Sequence, residues 1–80
     1  MKAILKFDLS DPDDTYEFES ASNAGNLRLA LWDIDQYLRE QMKYNDSLTD
    51  DGYKELEKTR DKLHEIMDDY GITKIVNKWN

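Results

Sequence analysis

The segment from Leu27 to Tyr44 constrains this chain more than any other, because it repeats apolar residues at helical spacing and carries a second distinctive face beside them. Leu27, Leu31, Ile34, Leu38 and Met42 recur at three- and four-residue steps and form a core stripe. Leu29, Trp32, Gln36, Arg39 and Lys43 line the second face. A small single core needs only the first stripe, so the surplus points to a partner. Ser22 or Asn23 suits the N-cap, and the predicted helix spans residues 23–44.

A polar connector from Asn45 to Thr49 leads into a second helix, predicted over residues 50–70. Thr49 is its cap, and Asp50 and Asp51 place negative charge in the first turn, where the helix dipole favours it. Tyr53, Leu56, Arg60, Leu63, Met67 and Tyr70 follow a 3-4-3-4-3 spacing, Ile66 widens the stripe, and Gly71 is a natural stop. So short a connector makes the two helices antiparallel neighbours.

Ahead of the helices, Met1, Ala3, Leu5, Phe7 and Leu9 alternate as on one side of a strand, and Tyr16, Phe18 and Ser20 continue the alternation. Asp11-Pro12-Asp13-Asp14 between them has the composition of a turn, so residues 1–21 are predicted to form a β-hairpin. The tail, residues 72–80, is β-branched enough for a short third strand or an extended arm, with Trp79 as a packing anchor or a contact. The predicted class is therefore α+β: one domain over residues 1–80, in which a β-hairpin packs against two antiparallel helices. The odd-numbered strand residues should face Ile34, Leu38, Leu63 and Met67.

Eighty residues sit near the lower limit for a single unstapled core, which argues against a deep active-site cleft. Cysteine is absent, so neither a disulfide framework nor a thiolate metal site is expected. Lys2 and Lys6 interrupt the apolar N-terminal run, so neither a signal peptide nor a membrane span is predicted, and the cytoplasm is the default compartment. A net charge of −7 opposes binding to duplex nucleic acid, which needs clustered Lys and Arg. Residues 21–45 are the exception, with three cations against three acids.

No catalytic constellation is evident. His64 is the only histidine, expected at the surface or its boundary, and its helical neighbours are Arg60, Asp61 and Asp68. Asp33 and Asp35, two residues apart, point to different sides of a helix and share neither a proton nor a metal. The three glycines build no phosphate loop. An enzyme, a bound cofactor and a metal site are therefore not expected.

Binding is the better expectation. Trp32, Gln36, Arg39 and Lys43 form a face of the kind that dominates protein interfaces, although Trp32 could equally serve the core. Glu57, Asp61 and Glu65 form an anionic ridge on the second helix that could stand in for nucleic-acid phosphates on a basic protein surface. The alternative is an oligomer that sequesters a small nucleotide, with Arg28, Arg39 and Lys43 gathered at subunit contacts and Trp32 or Tyr44 stacking on the base. A homodimer through the Trp32 face would also bury what a small fold leaves exposed.

The opening Met1-Lys2-Ala3-Ile4-Leu5-Lys6-Phe7-Asp8-Leu9, the run Leu29-Ala30-Leu31-Trp32-Asp33-Ile34-Asp35-Gln36-Tyr37-Leu38-Arg39 and the later Lys43-Tyr44 resemble small accessory proteins of tailed bacteriophages. The resemblance spans about residues 1–70 and implies a viral protein made in the cytoplasm of a host bacterium, with no catalytic role. Such proteins commonly act by binding, so it implies an inhibitor or modulator of a host protein, including a defence protein.

Overall fold

The structure, a computed structural model, describes residues 1–77. Four helices follow one another: α1 (Pro12–Ser22), α2 (Ala24–Tyr44), α3 (Asp50–Asp69) and α4 (Thr73–Val76). Among the described residues there is no strand, so the fold is all-helical and the predicted α+β class is corrected.

The error begins at Asp11-Pro12-Asp13-Asp14, which starts a helix instead of turning a hairpin. Asp11 is the N-cap of α1, and its carboxylate accepts from the Asp13 backbone N–H at 2.9 Å. Pro12 opens the helix where a missing N–H costs nothing, and Asp13 and Asp14 place negative charge at its positive end. Tyr16, Phe18 and Ser20 thus lie on a helix and not on a second strand. Residues 1–8 form no regular element, and Phe7 and Asp8 at their end turn back onto α1. The Asp14 carboxylate accepts from the Asp8 N–H, and the Phe7 ring meets Phe18 edge-on at 5.7 Å. Met1, Leu5 and Leu9 stay exposed and Phe7 packs on α1, so the expected docking of odd-numbered strand residues on Ile34, Leu38, Leu63 and Met67 does not occur.

Asn23 separates α1 from α2, and its side-chain amide donates to the Glu19 carbonyl at 2.9 Å. The 21 residues of α2 start at Ala24, within one residue of the predicted start. At the other end, the Asn45 carboxamide accepts from the Ser47 N–H, which closes the connector to Thr49. Thr49 then caps α3 through the Gly52 N–H at 3.0 Å. A Cβ on Gly52 would lie 2.9 Å from Leu48 Cδ1, so the glycine lets the connector close tightly over the first turn of α3.

Two bonds end α3: Ile72 N–H to the Met67 carbonyl at 2.9 Å and Gly71 N–H to the Asp68 carbonyl at 3.0 Å. That arrangement requires a left-handed residue, and Gly71 supplies it with φ of 70°. The chain reverses there, and residues 73–76 form one helical turn where a strand or extended arm was predicted. The Thr73 hydroxyl donates to the Asp68 carboxylate beneath that turn, and among the described residues there is no partner strand that could recruit its β-branched residues. Trp79 lies outside the described residues.

α2 and α3 pack antiparallel: Met42 lies near Tyr53, Asp35 near Arg60 and His64, and Leu31 near Ile72 and Val76. Leu38, Met67 and Val76 are the buried hydrophobic side chains among the described residues, with Met67 at 1% exposure. Leu31, Met42, Leu56 and Leu63 are half-buried, whereas Leu27, Ile34, Tyr53 and Tyr70 are exposed despite their places on the predicted stripes. The radius of gyration is 17.3 Å, with extents of 53 × 30 × 20 Å. A compact chain of this length would have a radius of about 12 Å. The molecule is elongated because α1 adds no buried residue and, among the described residues, just the single turn of α4 packs over one end of the helix pair.

Candidate functional site

The centre of the α2–α3 pair is polar. Asp35 is 3% exposed and stands on the apolar stripe of α2, one turn from Leu31 and Leu38. Opposite, Arg60 interrupts the stripe of α3 between Leu56 and Leu63. Arg60 Nε donates to Asp35 Oδ1 at 2.9 Å and its Nη2 to Oδ2 at 3.3 Å, a two-pronged contact matched to the carboxylate plane. His64, one turn along α3, places Nε2 at 2.6 Å from Asp35 Oδ1. An ionised carboxylate only accepts, so His64 bears its proton on Nε2 in this contact.

Burial pushes the Asp35 pKa upward, but the hydrogen bonds and positive charge of Arg60 and His64 outweigh it and hold the carboxyl below its usual range. The same contact raises Arg60 further above its already high value, chiefly through the hydrogen bond to Asp35. The arrangement keeps one carboxylate charged inside a thin core and aims two cationic or polar groups from α3 at it.

A polar cavity of about 380 Å³ opens beside this cluster, lined by Asp35, Gln36, Arg39, Arg60, His64 and Asn77. Asn77 Oδ1 is buried and has no hydrogen-bond partner among the described residues. Arg39 and Arg60 also border a second cavity of about 240 Å³, completed by Met42, Lys43 and Tyr53. A carboxylate orienting an imidazole is half of a nucleophile-activating relay, but no Ser, Thr or Cys lines the first cavity for His64 to activate.

An apolar groove of about 460 Å³ lies at the other end of α2. It is formed by Leu27, Arg28, Ala30 and Leu31 of α2 with Ile72, Ile75 and Val76 at the end of the described chain. Leu27 is 60% and Ile75 57% exposed along it. A fourth depression, between Ile34, Leu38, Leu63 and Ile66, is apolar with a rim of Lys58 and Lys62.

The residues singled out from the sequence are divided among these places. Gln36 and Arg39 fall in the polar cavity, and Arg39 and Lys43 in the adjoining one. Trp32 is half-buried and lines neither. Lys43 lies over the Tyr44 ring, 5.3 Å from its centroid. Arg28 belongs to the apolar groove, about 22 Å along the helix from Lys43 by the standard rise. Within one chain, Arg28, Trp32, Arg39, Lys43 and Tyr44 therefore do not make one nucleotide site.

Glu57, Asp61 and Glu65 are exposed along α3, yet lysines interleave them. Glu65 pairs with Lys62 at 3.3 Å, and Glu57 and Asp61 share a shallow depression with Lys54 and Lys58. The ridge is consequently less anionic than its acids alone suggest.

Sequence reasoning weighed Asp35 only against Asp33, placed Arg60 as a stripe residue and a helical neighbour of His64 without joining it to Asp35, and missed Asn77. The available signal was the pair of opposite charges, Asp35 and Arg60, each interrupting an otherwise apolar stripe. Among the described residues no helix is long and apolar enough to cross a membrane, and no three His, Cys, Asp or Glu side chains converge on a metal position. No protein-family model matches this chain, and no curated protein or solved structure is significantly similar to it.

Proposed function

We propose that this chain is a non-enzymatic binding protein of the bacteriophage accessory type, which docks on a host protein in the bacterial cytoplasm and modulates or inhibits it. The observation behind this is the mismatch between apolar surface and core. Three hydrophobic side chains are buried among the described residues, while Leu27, Leu29, Ile34, Tyr37, Ile66 and Ile75 stay exposed along the helix pair. A chain so thinly packed is stabilised by any partner that covers such a surface, because only the folded form binds.

The α2–α4 groove is the docking site. Its floor is apolar, Arg28 is the charged side chain in its lining, and the chain as a whole carries a net charge of −7. The partner suited to it is a protein surface with an apolar ridge and a basic rim, so the acidic charge contributes steering and the groove contributes affinity. Mimicry of nucleic acid by Glu57, Asp61 and Glu65 is a weaker contributor, since lysines lie among them.

The test is capture by tagged protein from bacterial lysate with three baits: the unaltered chain, Leu27→Asp/Ile75→Asp, and Glu57→Lys/Asp61→Lys/Glu65→Lys. A stoichiometric protein retained by the first and third baits and lost from the second supports groove docking. Loss from the third bait alone would place the contact on the acidic ridge. No retained protein, together with a dimer in solution that Leu27→Asp/Ile75→Asp dissociates, would replace the host partner with a second copy.

A further inference from the structure

We propose that the two adjoining cavities between α2 and α3 bind a phosphate monoester, with its oxyanion held between Arg39 and the Arg60–His64 pair and the rest of the ligand over Met42 and Tyr53. These groups share no lining residue with the apolar groove, although Asn77 follows Val76 of that groove in the chain, so the two sites are probed by separate variants.

Charge is the first support. The chain as a whole is at −7 and repels anions, yet these cavities gather Arg39, Lys43 and Arg60 against the single carboxylate of Asp35. That carboxylate is already engaged, by Arg60 through Nε and Nη2 and by His64 through Nε2. It holds those two side chains in place, which removes much of the ordering cost that a ligand would otherwise meet. Arg39 makes no ion pair among the described residues, so its planar donor fork is open to an oxyanion.

Asn77 Oδ1, buried and without a partner among the described residues, is the second, independent support. It accepts a hydrogen bond from a ligand donor, and a phosphate that retains one proton offers both the O–H for Asn77 and the anionic oxygens for the arginines. Size and composition are the third. The polar cavity of about 380 Å³ shares Arg39 and Arg60 with the adjoining one of about 240 Å³, which Met42 and Tyr53 border. Inorganic phosphate fills only the polar part, whereas an ester with a flat apolar or aromatic group occupies both, as small-molecule sites generally combine a few polar anchors with an apolar wall.

His64 is the single histidine, so its ring-proton NMR signal is a unique reporter inside the site. The experiment titrates the intact protein with inorganic phosphate, adenosine monophosphate and acetate at constant pH and ionic strength. Phosphate should shift the His64 signal saturably, and the nucleotide should saturate it at a concentration about tenfold lower, as one stacked base is worth on an aromatic side chain. Arg39→Gln, a change at an exposed side chain, should weaken phosphate binding by about tenfold or more. Tyr53→Ala should weaken the nucleotide and leave phosphate unchanged. A His64 signal that neither phosphate nor nucleotide moves, or that acetate moves equally, would overturn the site. Unchanged affinity in Arg39→Gln would overturn it as well, and equal affinity for phosphate and nucleotide would remove Met42 and Tyr53 from it.

Discussion

Arg60 on α3 grips the carboxylate of Asp35 on α2 through two nitrogens, at 2.9 and 3.3 Å, at the centre of a helix pair that buries few apolar side chains. A buried ion pair is weak evidence of net stability, because taking both charges out of water costs about as much as their attraction returns. Its consequence here is register and rotation. With Asp35 only 3% exposed, the two helices meet without an orphaned charge in the arrangement that aligns it with Arg60.

Removing one member of the pair should therefore cost more than removing both. Arg60→Met leaves Asp35 buried beside His64 alone, and we expect a loss of about 2–3 kcal/mol, below the cost of breaking a fully buried pair because the Arg60 side chain is 27% exposed. Asp35→Leu with Arg60→Met should recover most of that loss. Urea midpoints of the two variants and the parent check the order, and a double variant no more stable than Arg60→Met would contradict it.

The same cluster sets an acid limit. The Asp35 carboxyl is held below its ordinary 3.8, so the folded state binds its proton more weakly than the unfolded chain does. Its stabilisation is present above that ordinary value and is lost as pH falls through the lowered one. We expect the urea midpoint of the parent to fall steeply below about pH 4, and that of Asp35→Asn, less stable at neutral pH, to fall less over the same range. Parallel pH profiles would show that other carboxylates govern the acid transition.

The capping groups should separate α1 from the rest of the molecule. Thr49→Ala removes the acceptor for the Gly52 N–H and should cost about 1 kcal/mol of global stability, since α3 belongs to the packed pair. Asp11→Ala removes the corresponding group from α1, which has no buried residue. We expect it to unprotect α1 amides locally and to leave the global midpoint within about 0.5 kcal/mol of the parent. Amide hydrogen exchange distinguishes the two, and cooperative loss of α2 in Asp11→Ala would refute the separation.

Two glycines should respond oppositely to alanine. Gly71 has φ of 70°, and Gly71→Ala should destabilise the turn into α4 by about 1 kcal/mol, although a Cβ there meets no atom within 4 Å. Gly25 lies in the first turn of α2 with open space around it, and Gly25→Ala should stabilise by about 0.5 kcal/mol. Thermal midpoints moving in opposite directions are the expected result.

The parts that misled are those where one local signal serves two structures. Asp11-Pro12-Asp13-Asp14 has the residues of a turn and equally those of a helix start, and Thr15 decides for the helix by bonding the Asp11 carbonyl through both its N–H and its hydroxyl. The alternation from Ala3 to Leu9 resembles a strand, but a strand needs a partner, and helix formation by residues 12–22 removed the one expected. Ile72 to Val76 is β-branched, yet the reversal at Gly71 brings it onto the start of α2 as a helical turn. Gln36, Arg39 and Lys43 were visible as a face of one helix, whereas Arg60, His64 and Asn77, which complete their cavities, come from elsewhere in the chain.

The sequence by itself determined the positions of α2 and α3, since apolar period, caps and the Gly71 stop act over three to five neighbouring residues and need nothing distant. Only the tertiary structure decided that Asp35 meets Arg60 and His64, 25 and 29 residues away. That contact depends on the rotation and stagger of two antiparallel helices, which many similar apolar stripes would permit. The tertiary structure also decided which apolar residues remain uncovered. Leu27 and Leu38 stand on the same stripe of α2, but α3 covers Leu38, whereas Leu27 is left at the edge of the open groove between α2 and α4.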